Sequence, residues 1–311
     1  MTKDQKFIEQ VWSYYRQSGR DLLWRHTITP YRIVVSEIML QQTQVPRVLI
    51  KYPEWLKRFP NWKSLATAST ADVIRAWQGL GYNRRALALK KIAEIVMSEY
   101  RGKLPSDPEV LVSFPGIGSA TASSICAFAF NQSVVFIETN IRRVYIHHFF
   151  SGTRDSVLGT RNSRLGARKI NLHSQVPSDK FQVPSAEYRV TSPEPRDLIH
   201  DQQLLPIIER TLDRSNPREW YWALMDYGSY LAKQVENPNR RSKHYTKQSK
   251  FDGSDRQIRG AILKLLVDRS WKREDLLQAL DSPLSRKQQA LQQLIDEGFV
   301  QLSRGQIRLR A

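Results

Sequence analysis

Two neighbouring stretches carry the residue types that could do chemistry: Phe114-Pro-Gly-Ile-Gly-Ser-Ala-Thr-Ala and, after an apolar run, Ile137-Glu-Thr-Asn-Ile-Arg-Arg-Val. Pro115, Gly116 and Gly118 predict a turn with almost no side chains, so its backbone N–H groups can approach a phosphate. Ser119 opens a helix whose positive end points to the same place. Together they describe a clamp for a DNA backbone, and Glu138 places a carboxylate close behind it. A Pro-Gly-x-Gly turn also serves simply to connect helices, so its meaning depends on the rest of the chain.

The chain has 311 residues, with 48 Lys and Arg against 30 Asp and Glu, a formal net charge of +18. That excess favours a polyanionic partner, nucleic acid first, over general solubility charge. The N-terminal residues lack an apolar leader, and no stretch approaches the roughly 20 apolar residues of a membrane span. A cytoplasmic monomer is expected, nucleoid-associated if bacterial. Cys126 is the single cysteine, which excludes disulfides and clusters held by several thiolates; its apolar surroundings predict a buried small side chain.

Apolar residues recur at helical spacing from Lys6 to Phe150, with Pro, Gly and Asn between segments, and predict seven or eight helices and no strand pair. Val34 to Val45, Val48 to Phe59, Ala71 to Leu80 and Ala86 to Tyr100 supply amphipathic faces. Trp12, Trp24, Trp55, Trp62 and Trp77 read as core. His147 and His148 are adjacent on a helix without a His or Glu at metal-ligand spacing, so a structural role and no metal site are expected. A polar insertion at about 151–195 interrupts a domain spanning 1–232, because apolar periodicity returns at Leu198–Leu212 and Trp220–Leu231. A basic linker, 233–253, precedes a second domain, 254–311. There, three helices followed by strands around Arg304-Gly305 predict a winged helix-turn-helix, with Arg286 and Lys287 on the groove-reading helix and Arg304, Arg308 and Arg310 on the wing. Such modules also dock proteins.

Tyr31-Arg-Ile-Val-Val-Ser-Glu-Ile-Met-Leu-Gln-Gln-Thr-Gln-Val, Trp77-Gln-Gly-Leu-Gly-Tyr-Asn-Arg-Arg-Ala, the Pro115 turn and Glu138-Thr-Asn-Ile-Arg-Arg-Val occur in one order and spacing. In this they resemble the helix-hairpin-helix DNA glycosylases, most closely the adenine DNA glycosylase branch, over residues 5–150 and again at 220–230. The resemblance implies an all-α helix-hairpin-helix glycosylase fold with the C-terminal winged helix appended, acting on double-stranded DNA that holds a mismatch or an oxidised base. It implies Glu37 as the acid that protonates the departing adenine and activates water, Glu138 as the carboxylate that stabilises the cationic sugar, and Asn140 as a positioning group. Gln41, Gln42, Tyr82, Arg84, Pro115, Gly116, Gly118, Ser119 and Arg142 are implied DNA contacts, Gln42 and Tyr82 by wedging into the opened duplex. Arg142 and Arg143 can equally be structural.

Several positions depart from the family pattern. Glu138 stands where an aspartate is usual, one methylene longer. Ala120 occupies the site of the amine that forms a Schiff base in bifunctional relatives, so base removal without strand cleavage is implied. The four iron–sulfur cysteines correspond to about Ala232, Asn239, Ser242 and Gln248, so no cofactor is expected, and Asn239 to Lys247 becomes a candidate backbone contact. The winged helix stands where the branch carries a NUDIX-like domain that reads 8-oxoguanine. Two other readings stay open: a thymine or uracil mismatch glycosylase, and a non-catalytic lesion-binding protein.

Overall fold

The computed structural model describes residues 1–150, 198–246 and 250–310; the expected insertion at 151–195 and the position of Gln248 lie outside the described residues. Helices α1 (Lys3–Ser18), α2 (Pro30–Leu40), α3 (Val45–Arg58), α4 (Trp62–Ala66), α5 (Thr70–Trp77), α6 (Arg84–Ser98), α7 (Pro108–Val112), α8 (Ser119–Phe130) and α9 (Thr139–Phe150) build the first part. Helices α10 (Asp201–Thr211) and α11 (Pro217–Gln234) pack back on it. A cluster around Phe7, Tyr145, Trp220 and Leu224 joins α1, α9, α10 and α11.

Sequence periodicity predicts one helix from Val34 to Val45, but the helix ends at Leu40 and a new one begins at Val45. Between them Gln42 takes a left-handed φ of 53°. The cause is Arg85, a buried side chain on α6 whose guanidinium donates to the carbonyls of Ile38, Met39 and Gln41. Those oxygens are the unsatisfied carbonyls of a helix end, and a fixed cation stabilises them.

The C-terminal part comprises α12 (Asp255–Asp268), α13 (Arg273–Gln278) and α14 (Leu284–Asp296) with a three-stranded antiparallel sheet, β1 (Trp271–Lys272), β3 (Gln306–Leu309) and β2 (Val300–Ser303) in that order. Arg304 and Gly305, both at positive φ, form the two-residue turn that pairs Ser303 with Gln306, as a primed turn requires. Ile258, Ile262, Leu291 and Phe299 belong to the same contiguous apolar cluster as Val73 and Trp77, so this module packs against the helical domain. The expected linker is likewise only partly free: Asn239 and Ser242 are buried, and Ser242 pairs with Ile199 in an isolated bridge.

Helices α9 and α11 cross at Gly228. A Cβ there would lie 2.4 Å from the Asn140 carbonyl oxygen, closer than any non-bonded contact allows, and Arg143 closes the crossing by donating to the Gly228 carbonyl at 2.8 Å. Gly228→Ala is therefore predicted to destabilise the fold by ~1–3 kcal/mol despite the better helix propensity of alanine. An unchanged midpoint in chemical denaturation would show that the crossing is not tight.

Candidate active site

A cavity of about 290 Å³ opens where α2, α8, the start of α9 and α11 converge, and Glu37, Ala120, Ser124, Glu138 and Asn140 all line it. Glu37 lies on the α2 face flanked by fully buried Val34 and Ile38, so its carboxyl meets water only through the cavity. Burial pushes its pKa up to about 7, the nearby Glu138 charge adds to the rise, and a hydrogen bond from Ser124 opposes it. Ser124 Oγ is 2.6 Å from Glu37 Oε2 and 3.0 Å from the Thr121 carbonyl. A hydroxyl has one proton and two lone pairs. It can donate to an ionised Glu37, or donate to Thr121 and accept from a protonated Glu37, so both charge states are accommodated by one bond rotation.

Glu138 caps α9: Oε1 accepts from the backbone N–H of Asn140 at 2.8 Å and of Ile141 at 2.9 Å, and Oε2 from the Asn140 amide at 3.3 Å. The extra methylene relative to aspartate is thus taken up in folding the carboxylate back onto the helix end. Burial raises its pKa, and the two N–H groups together with Arg143 and Arg142 work against the rise. Asn140 is fixed on its other side, its Oδ1 accepting from Arg143 at 2.7 Å.

The turn ahead of α8 has the shape the sequence implies. Gly116 takes φ 76°, Gly118 and Ser119 are exposed, and among the described residues no side chain caps α8. The first-turn N–H groups of α8 thus stay available to an anion. Gln41 ties this turn to the cavity, its amide donating to the Gly116 carbonyl at 3.1 Å and to Thr121 at 3.3 Å. Gln42 is exposed, and Tyr82, also left-handed at φ 47°, stands beside it in a second cavity. Ala120 brings no amine to the catalytic cavity.

Other implied DNA contacts are placed differently. Lys287 is buried, its ammonium donating to the Leu280 carbonyl at 3.1 Å; it therefore presents no charge to a groove. Arg286 is paired with Asp255, and Arg142 forms a two-pronged pair with Asp201 on α10, which commits Arg142 to joining helices. Arg84 pairs with Glu297 of the C-terminal module but keeps a largely exposed side chain. Arg304, at the wing turn, is exposed.

The structure also adds residues that sequence reasoning missed. Asp226 on α11 has no exposed side-chain surface and binds Arg25 through two hydrogen bonds and Arg20 through its backbone N–H and its side chain. Burial alone would raise the Asp226 pKa, but the two arginines hold it below the ordinary value. Arg20, Arg25 and Trp222 line the same cavity as Glu37, with the Arg25 guanidinium 5.3 Å from the Trp222 ring. None of this is legible from local spacing, because Arg25 and Asp226 are far apart in the chain.

No group of three or more potential metal ligands occurs among the described residues. A thiolate-held cluster does not fit the donors present: Asn239 spends its amide nitrogen on the Thr139 carbonyl at 2.9 Å, Ser242 is locked in the bridge to Ile199, and Cys126 is buried with its thiol near the Ser106 carbonyl. His148 packs edge-on against Phe7 and is bonded to the Tyr227 hydroxyl at 3.1 Å, a structural role.

Residues 35–165 match the family model of the HhH-GPD superfamily base excision DNA repair proteins. Curated relatives that the chain is similar to include several adenine DNA glycosylases. That of Mycobacterium tuberculosis (strain CDC 1551 / Oshkosh) is 47% identical over 133 residues, 42% of this chain and 44% of the relative. That of Mycolicibacterium smegmatis is 43% identical over 136 residues, 43% of this chain and 46% of the relative. The match thus spans less than half the length of these curated relatives. A solved thermostable thymine-DNA glycosylase shares the fold, with a TM-score of 0.56 at 19% identity over 78% of this chain and 93% of that one.

Glu37 delivers a proton only while protonated, so activity that depends on it is predicted to be present below pH 7 and to fall as pH rises through about 7. Ser124→Ala removes the hydrogen bond that lowers the Glu37 pKa, so the alkaline limb is predicted to move to higher pH. An unmoved limb in a single-turnover pH–rate profile would separate Glu37 from the proton transfer.

Proposed function

We propose that the chain is a monofunctional DNA N-glycosylase that removes adenine mispaired with guanine or 8-oxoguanine. The observation that carries this reading is a carboxyl poised to hold its proton near neutrality, Glu37, in the same cavity as a carboxylate held by backbone N–H groups, Glu138. Adenine is a poor anionic leaving group. Proton transfer from Glu37 to a ring nitrogen lets the C1′–N9 electron pair leave with a neutral base. The sugar is left as an oxocarbenium-like cation, and the Glu138 carboxylate is the group that offsets its charge. Water then adds to C1′, its proton going to the Glu37 carboxylate, which restores the acid. Arg20, Arg25 and Trp222 give the cavity a flat aromatic surface and fixed donors suited to a purine.

Double-stranded DNA is the partner this reading requires. The α8 turn would grip the strand of the extruded nucleotide, and Gln42 and Tyr82 would fill the gap it leaves in the stack. Ala120 in place of an amine supports hydrolysis without strand cleavage.

Single-turnover reactions on short duplexes with 8-oxoguanine·A, G·A, G·T or G·U pairs test the proposal, alkali being added to expose abasic sites. Alkali-dependent cleavage at adenine alone is expected. Release of thymine or uracil would place the chain among mismatch glycosylases of other specificity, and tight binding without release at any pair would make it a lesion-binding protein. Glu37→Gln is predicted to slow adenine release by roughly 10²-fold or more; a variant that kept most of its activity would remove the acid from the mechanism.

A further inference from the structure

A second cavity, of about 450 Å³, lies between the helical domain and the C-terminal module, bordered by Gln42, Tyr82, Arg84, Arg85, Arg256 and Arg259 among others. Gln41 lines both this cavity and the catalytic one, so the loop that carries Gln41 and Gln42 is the wall between them. Four of the lining side chains are guanidinium groups and none is a carboxylate. Glu297 is already held between Arg84 and Arg259 at 2.6 Å from each, so two lining cations share one anion and the lining keeps a positive excess. The Tyr82 ring is set between the guanidinium groups of Arg85, 5.5 Å away, and Arg256, 5.1 Å away, and Arg256 also donates to the Tyr82 hydroxyl.

This charge is more than domain docking needs. The apolar cluster shared by the two parts already joins them, and an arginine built only to hold Glu297 would bury its head, whereas the Arg84 side chain is 75% exposed. A guanidinium has five donors, and the pairing with Glu297 occupies two of those on Arg84. The topology supplies the ligand. If a nucleotide passes to one side of the Gln42 wall, the strand it has left behind crosses the other side, and what that strand presents at regular intervals is phosphate.

We propose that this interdomain cavity binds a phosphodiester of the DNA strand opposite the extruded nucleotide, with Arg256 and Arg84 as the contacting groups. The inference rests on the reading of the chain as a base-extruding DNA protein. It gives the C-terminal module a defined role, in which Arg256 steadies Tyr82 and fixes the opposite strand beside it.

Kd is measured for the full chain, wild type and Arg256→Gln, on a short 8-oxoguanine·A duplex in which single phosphates around the pair are replaced in turn by neutral methylphosphonate. One such replacement in the 8-oxoguanine strand is expected to weaken wild-type binding about tenfold and to leave Arg256→Gln nearly unaffected. On unmodified DNA the variant should lose a similar factor, with the slope of log Kd against log salt smaller by about 1. Additive losses from the variant and every opposite-strand replacement, or coupling found only in the adenine strand, would overturn the proposal. Arg84→Gln is the second variant, at an exposed side chain, should Arg256→Gln fail to fold. Because the measurement needs no cleavage, coupling without adenine release would sink the enzymatic reading alone, and adenine release without coupling would sink this proposal alone.

Discussion

The buried guanidinium of Arg85 organises the recognition face. Besides ending α2 it donates to the carbonyls of Leu80 and Gly81 and to the Thr43 hydroxyl, so one side chain satisfies the polar groups of two loops. Those loops carry Gln42 and Tyr82, each in a left-handed conformation that a non-glycine residue adopts only under constraint. A neutral side chain in place of Arg85 would strand several buried carbonyls at once. Burial lowers its pKa to about 10, still above neutral pH, so the cation persists and the two loops stay fixed relative to each other. The wedge, the wall between the two cavities and the C-terminal end of the helix bearing Glu37 all inherit their position from this group.

The cavity that holds Glu37 and Glu138 shows the same economy. Glu37 and Glu138 are both carboxyls raised by burial, yet their surroundings separate them: a hydroxyl that adapts to either charge state faces Glu37, and fixed backbone N–H groups face Glu138. One residue type thus presents two distinct electrostatic environments in a single cavity. The close crossing at Gly228 and the Arg143 bonds hold Asn140 next to that second carboxylate, so cavity geometry depends on helix packing as well as on the residues that line it.

Much of this was legible in the sequence because it is local. The Pro115–Ser119 turn, the helical faces other than Val34–Val45, the Arg304-Gly305 hairpin and the core tryptophans Trp24, Trp55, Trp62 and Trp77 follow from spacing and residue type, and the structure places them as those signals imply, with Trp12 only partly buried. The misses are long-range. Arg25 with Asp226, and Arg85 with the end of α2, join residues that no periodicity links. Lys287 on an amphipathic helix reads as a surface charge, yet its stem follows the apolar face inward and its ammonium finds the Leu280 carbonyl. Part of the supposed linker is packed because Asn239 and Ser242 found backbone partners across the chain, which composition does not reveal.

The segment from Val235 to Ser242 is held by the Asn239 amide, the Arg241 guanidinium and backbone pairing, with no sulfur, and Cys126, the only cysteine in the chain, is buried with its thiol pushed up to about 11. At neutral pH the fold therefore exposes no thiolate, the form of sulfur that peroxides attack first. Oxidants that act on thiolates therefore find no ready target in this chain. That resistance follows from composition and packing alone, one thiol and its burial.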